Sequence, residues 1–210
     1  MKNTEQLKYE ILKTENGFNG YFKINRYTIR QQLFAGGWSE PFQRELFERG
    51  HAAAVLLLDP LKERLALVEQ FRPGAMETEA YPWITEPVAG IIETGETPGN
   101  VVRRESIEEA GCEIKRLRQI YKYLVSPGGC TETVCLYLGE IDSTTLPELG
   151  GLDDENEDIR IVNISIDEAF QRLDRGEFNN AMMLIAIQWL KLNWSNRENI
   201  WENSEIEHKN

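Results

Sequence analysis

Residues 52–58, Ala-Ala-Ala-Val-Leu-Leu-Leu, most limit what this chain can fold into. A strand with one wet face alternates apolar and polar residues; an unbroken apolar run needs cover on both faces. We therefore expect a central strand there. At seven residues the run is far short of the roughly 18 that span a bilayer, so no membrane segment is expected. Asp59-Pro60 opens a loop, and residues 65–69 answer as a second strand. Further strands are expected at 84–88, 114–124, 132–139 and 159–164. Helices are expected at 98–110, 167–175 and 180–192. The first has Thr97 as N-cap, Pro98 at its first position and Gly111 at its end. Strands with inserted helices but no regular βαβ alternation indicate an α/β sandwich with a mixed sheet.

The first fifty residues differ. Tyr, Phe, Ile and Thr alternate with Lys, Arg and Gln over 9–12, 21–34 and 42–48. Asn16-Gly17, Asn19-Gly20 and Gly36-Gly37 punctuate them as turns. This antiparallel β segment is too small to bury its own apolar face. The chain thus divides into a β segment (1–49), a main domain (50–194) and a polar tail (195–210) expected to fray.

With 35 acidic and 23 basic residues the formal charge is −12. Such a chain repels the phosphate backbone, so nucleic acid is not an expected partner. A small phosphorylated substrate is repelled too, unless cations or arginines screen it. Residues 1–6 carry no apolar stretch after Lys2, so no secretory signal is expected there. The three cysteines form no CxxC pair, which suits reduced thiols in the cytoplasm.

The chemistry concentrates on the first helix. At about 100° per residue, Glu105 and Glu109 lie about 40° apart, with Glu108 about 60° to the other side. Like charges four apart repel, and a divalent cation reverses that sign. All-oxygen carboxylate ligation is what Mg²⁺ or Mn²⁺ takes. Arg104, four before Glu108, is placed to orient its carboxylate. The plainer reading, a solvated acidic face balanced by Arg103 and Arg104, competes with this one. EF-hand spacing, which would indicate Ca²⁺, is absent.

The spacing decides between them. Gly90, five residues, Glu96, seven residues, Arg104-Glu105, two residues, Glu108-Glu109-Ala110-Gly111-Cys112 resembles the Nudix box over residues 90–112. Ser106 stands where that family usually has an aliphatic residue, and closer packing beside Ala110 is expected there. The resemblance extends along most of the chain and is nearest to bacterial ADP-ribose pyrophosphatases. It is carried by Leu46-Phe47-Glu48-Arg49-Gly50-His51, Glu69-Gln70-Phe71-Arg72, Ser126-Pro127-Gly128-Gly129 and Glu155-Asn156-Glu157-Asp158-Ile159-Arg160.

The resemblance implies a Nudix α/β/α sandwich and Mg²⁺-dependent hydrolysis, Mn²⁺ being the other candidate ion, of ADP-ribose to AMP and ribose 5-phosphate. It implies metal ligands at Glu105, Glu109, Glu157 and the Ala89 carbonyl, with Glu108 assisting. The general base falls on Glu155, with Glu157 a rival. Substrate contacts fall on Tyr21 and Phe22 for the base, and on Arg44 and Arg72 for phosphate or ribose. Ser126 and Gly128 bring backbone close, and Glu132 faces the terminal ribose. It also implies a homodimer in which one β segment completes the other's site. Two alternatives stay open: another nucleotide sugar such as a GDP-sugar, and a catalytically silent nucleotide sensor.

Overall fold

The apolar run becomes β4 (Ala52–Asp59), buried at every position, in a computed structural model that describes residues 6–152, 156–202 and 205–206. Successive strand residues face opposite ways, and β4 shows it. Ala52, Ala54, Leu56 and Leu58 enter one core; Ala53, Val55 and Leu57 enter another. The flanking strands β5 (Arg64–Phe71) and β9 (Thr133–Glu140) divide the same way. The first core is closed by α2 (Ile166–Asp174) and α3 (Ala181–Asn193), the second by Val101 and Val102 of α1 (Pro98–Glu108). This is the expected sandwich with helices on both faces.

The sheet runs β10 (Leu149–Gly150), β11 (Ile159–Ser165), β5, β4, β9, β8 (Arg116–Leu124) and β12 (Glu205–Ile206). It is mixed: β4 pairs parallel with β9 and antiparallel with β5. Two short strands complete it, β6 (Trp83–Glu86) on β5 and β7 (Val88–Ile91) on β4. These correct the single strand expected at 84–88. Pro87 has no N–H to give a ladder, so the chain leaves β5 there and continues on β4. That change of partner sets Ala89 and Gly90 beside α1. Among the described residues no helix is long and apolar enough to cross a membrane.

Helix ends follow local chemistry. Thr97 Oγ1 accepts from the Asn100 N–H at 3.3 Å, and Ser165 and Asn180 do the same for α2 and α3. The first residues of the tail correct the expectation of fraying, while residues 203–204 and 207–210 lie outside those described. The chain continues as a 3-10 helix (Trp194–Asn199), and Ile200 is buried in the core shared with α3.

By its contacts the chain forms two units. One is the sandwich, Ala52–Tyr123 with the chain from Val134 onward. The other joins the residues up to His51 with Leu124–Thr133. It holds an antiparallel meander of β1 (Tyr9–Asn19), β2 (Lys23–Gln31) and β3 (Phe42–Glu48). Asn16-Gly17 is not a turn, as expected from sequence, but an irregularity inside β1, where the register with β2 shifts. A glycine in a strand commonly marks such a bulge. Tyr21 and Phe22 accordingly lie in the bend between β1 and β2 rather than in a strand.

Candidate active site

On α1, Val101, Val102 and Ser106 are buried, which turns the glutamates toward the β7 side of the sandwich. Glu105 lies directly against Gly90: a Cβ built there would stand 1.9 Å from Glu105 Oε1. Only glycine leaves this carboxylate its place. Glu109 is 2% exposed, and its Oε2 accepts from the Ala89 N–H at 3.2 Å. Arg104 does more than orient Glu108. Its Nη1 donates at 2.8 Å to both Glu105 Oε1 and Glu108 Oε2, while Nε and Nη2 reach Glu96 at 3.3 and 3.4 Å. Ser106 is fully buried, but packing is not its whole role. Its Oγ lies 2.9 Å from the Arg103 carbonyl and 3.0 Å from that of Cys112.

The arrangement favours positive charge. Burial, then the charge of Glu108 working against the pull of Arg104, lifts the Glu105 carboxyl to about 7. Burial and the Glu105 charge lift Glu109 to about 8, opposed by the Ala89 N–H. The Arg104 bond holds Glu96 below its usual range. The cluster thus carries one buried and one half-buried carboxyl, Glu109 and Glu105, for which ionisation is costly until a cation arrives.

Gly150 and Gly151, at the end of β10, pack on the C-terminal end of α1. The Gly151 N–H donates to the Glu108 carbonyl at 3.0 Å. A Cβ at Gly150 would sit 2.0 Å from the Glu109 carbonyl oxygen. Glu157 is half-buried, and its charge contributes to raising both Glu105 and Glu109. Glu155, with Asp153 and Asp154, lies outside the described residues. Arg72 follows β5, and its charge pulls the Glu109 carboxyl downward. Its Nε bonds Glu86 Oε2 at 2.6 Å.

The remaining candidates belong to the β unit. Phe22 meets Tyr21 edge-on at 4.7 Å and Phe47 at 5.2 Å. The Arg49 guanidinium stands 5.7 Å from the Phe22 ring centre, with Nε 3.6 Å from Glu132 Oε1. Phe22 and Glu132 are therefore joined through Arg49. The 126–129 turn is tied to β3, since the Phe47 N–H donates to the Gly129 carbonyl at 2.8 Å; Ser126 and Gly128 are exposed on it. Arg44 lies apart from this group, exposed over Phe42 with Nη1 on the Gln43 carbonyl at 2.7 Å. His51 serves the local backbone: its Nδ1 accepts from the Thr133 N–H at 3.2 Å.

Three residues escape sequence reasoning. Arg49 bridges Phe22 and Glu132. Glu86 pairs with Arg72. Gln70 is buried, and its amide nitrogen bonds no described residue. Gln70 and Glu86 are both polar residues near the end of a strand that begins or runs apolar, and nothing in the sequence marks either as paired or buried.

Among the described residues no three His, Cys, Asp or Glu side chains stand grouped as a ready cage for an ion; Arg104 is bonded to two of the carboxylates instead. The donor set still suits a hard divalent cation. It is all oxygen, the buried Glu109 and the half-buried Glu105 repel one another, and Gly90 leaves room for Glu105.

Fold, box spacing and family model agree on the class. The chain belongs to the NUDIX domain family, whose model matches residues 48–184, and its chemistry is that of a Nudix pyrophosphohydrolase. Such enzymes depend in general on divalent metals. The chain is similar to the ADP-ribose pyrophosphatase of Escherichia coli strain K12, 44% identical over 91% of this chain and 92% of that one. It is 39% identical to the ADP-ribose pyrophosphatase of Haemophilus influenzae over 95% of this chain and 93% of that one. The GDP-mannose pyrophosphatase of Klebsiella pneumoniae is 32% identical over 88% of this chain and 92% of its own length.

Proposed function

We propose that the chain hydrolyses the pyrophosphate bond of ADP-ribose to AMP and ribose 5-phosphate, with Mg²⁺ as the working ion and Mn²⁺ as a substitute. The observation that carries this reading is the Glu105–Glu109 pair, the first half-buried against Gly90 and the second buried beside Ala89, raised to about 7 and 8. Two such groups are poor isolated carboxylates and good ligands. Glu105, Glu109, Glu157 and the Ala89 carbonyl would hold the metal, with Glu108 held ready by Arg104. When bound, a divalent cation neutralises charge on a diphosphate and makes a nearby water more acidic. The chain's own part is to bind the two ends of the substrate and take a proton from the attacking water. We assign that proton to Glu155, with Glu157 as the rival. Tyr21 or Phe22 stacks the adenine, Arg44 and Arg72 meet phosphate or ribose, and Glu132 and the 126–129 turn meet the terminal ribose.

The β unit bears on assembly. Tyr9, Ile11, Phe18 and Phe34 are exposed on it, and among its described residues only Glu132 is buried. A second copy of the chain covering those side chains would give the homodimer. The working compartment on this reading is the cytoplasm.

The test is direct. Protein stripped with a chelator should be silent, and millimolar Mg²⁺ should restore release of AMP and ribose 5-phosphate from ADP-ribose. Faster turnover of GDP-mannose would move the assignment to a GDP-sugar, and no turnover of either would leave a nucleotide sensor. Glu155→Gln and Glu157→Gln separate the bases. The true base loses about a hundredfold or more in kcat with KM nearly unchanged, whereas loss of a ligand also raises the Mg²⁺ concentration needed.

A further inference from the structure

Glu86 is an acid where the fold asks for an apolar residue. On β6 it stands opposite Val68, with Gln70 opposite Ile84 and Phe71 opposite Trp83. Alternate residues of a strand share a face, so Val68, Gln70 and Arg72 project to one side. Val68 belongs to the core that α1 closes, which puts Glu86 on the α1 side as well. Its neighbours Ile84 and Val88 are buried, and Glu86 itself is 5% exposed. A carboxylate in such a place is costly unless it is paired.

Its partner is Arg72, bonded through Nε at 2.6 Å. The choice of nitrogen matters. A guanidinium held by Nε keeps both terminal amino groups of its fork, the part that matches phosphate geometry. Among the described residues those two groups bond nothing. The backbone is anchored too, with the Arg72 N–H donating to the Pro82 carbonyl at 2.9 Å. Arg72 is near enough to Glu109 for its charge to be felt there, yet its bond goes to Glu86. Released from Glu86, the guanidinium would be drawn toward Glu109, a carboxyl without an arginine of its own.

We propose that Glu86 is a positioning residue: it clamps Arg72 by Nε so that the terminal amino groups face the substrate's diphosphate instead of folding onto Glu109. This rests on the assignment of Arg72 to the substrate made above. The competing account is a purely structural tie between β5 and β6.

Kinetics with ADP-ribose at saturating Mg²⁺ on Glu86→Ala, Glu86→Gln, Arg72→Ala and the double variant Arg72→Ala/Glu86→Ala distinguish them. The expected result is a KM raised about tenfold in Glu86→Ala with kcat held within about threefold. Glu86→Gln, which keeps an acceptor in place, should recover most of that loss, to about threefold. In the Arg72→Ala background the second substitution should add nothing, because its effect passes through Arg72. A raised KM in Arg72→Ala with an unchanged KM in Glu86→Ala overturns the clamp and leaves Arg72 as a substrate contact. An unchanged KM in Arg72→Ala overturns the substrate role of Arg72, and the clamp with it. Losses that add in full in the double variant assign Glu86 to the structural tie. Should Glu86→Ala fail to fold, Glu86→Gln with and without Arg72→Ala carries the same comparison: about threefold in the first case and none in the second supports the clamp.

Discussion

Acidic groups are buried in both units, in opposite company. In the sandwich, Glu109 is enclosed by a complete core: Val101, Val102 and Ala110 of the same segment are buried with it, as are Val88 and Val68 of the sheet. In the β unit Glu132 is the only buried residue among those described, and the rings around it are half-buried or exposed. A rigid core can hold like charges together against their repulsion, which is what a metal site requires. A thin sheet with uncovered aromatics cannot do that, but it can offer flat apolar surface to a base, or to another copy. On the proposed reading the metal chemistry falls to the sandwich and base stacking to the β unit, a division that can be broken at several points.

The largest effect belongs to Glu109→Gln. Loss of a buried ligand should lower kcat by about 10²–10³. Stability of the metal-free protein should move the other way. The Glu109 carboxyl is lifted by burial and Glu105 from 4.5 to about 8, so the folded state holds its proton more tightly than the unfolded one. The stability it contributes is complete below pH 4.5 and is lost as pH rises toward 8. Melting of the chelated wild type should therefore fall across that window, less steeply in Glu109→Gln, and Mg²⁺ should flatten the slope by favouring the charged form. A chelated wild type whose melting point rises from pH 5 to 8, with the variant following it, would place the repulsion elsewhere.

Next comes Gly90→Ala. The new methyl meets Glu105 at 1.9 Å from Oε1, so the carboxylate must turn away. The expected outcome is a Mg²⁺ requirement raised about tenfold or more in a protein that still folds, measured as activity against Mg²⁺ concentration beside a thermal melt. Unchanged Mg²⁺ dependence would separate Glu105 from the metal.

In the β unit the decisive pair is Tyr21 and Phe22. Tyr21 is 87% exposed, whereas Phe22 is half-buried against Phe47 and beneath Arg49. Stacking on a base is worth about 1–3 kcal/mol, and the free ring is the one able to supply it. Tyr21→Ala should raise KM for ADP-ribose about tenfold with little change in melting point, while Phe22→Ala lowers the melting point too. The reverse split would make Phe22 the stacking ring.

How much of this was legible in the sequence follows from how local each feature is. Burial of β4 on both faces was legible in seven adjacent residues, and α1 in a cap, a proline and a glycine. Helical spacing sets Glu105 and Glu109 on one side of α1, and both stand beside β7, at Gly90 and Ala89. What escaped was decided by pairing. Glu86 acquires meaning only when Pro87 breaks the strand and β6 settles on β5 beside Arg72. Arg49 matters because the 126–133 segment, distant in sequence, brings Glu132 to it. Asn16-Gly17 has the composition of a turn, but the register of β1 on β2 absorbs it as a bulge. No local pattern carries such information.

The smallest effect tests the one departure inside the box. An aliphatic residue at position 106 would only fill space, whereas the Ser106 hydroxyl is fully buried within reach of the Arg103 and Cys112 carbonyls. It therefore ties the last turns of α1 to the chain just beyond Gly111, which leaves the helix at a positive φ of 62°. Ser106→Ala removes that bond without adding volume and should cost about 1 kcal/mol of stability, read as a lower denaturant midpoint. Ser106→Val restores the family's apolar character but adds methyl groups to a filled site, so its cost should be equal or greater. Because the Ser106 hydroxyl bonds backbone carbonyls and neither Glu105 nor Glu109, kcat should stay within about twofold in the alanine variant. A larger fall would mean that the end of α1, not its carboxylates alone, sets the geometry of the metal ligands.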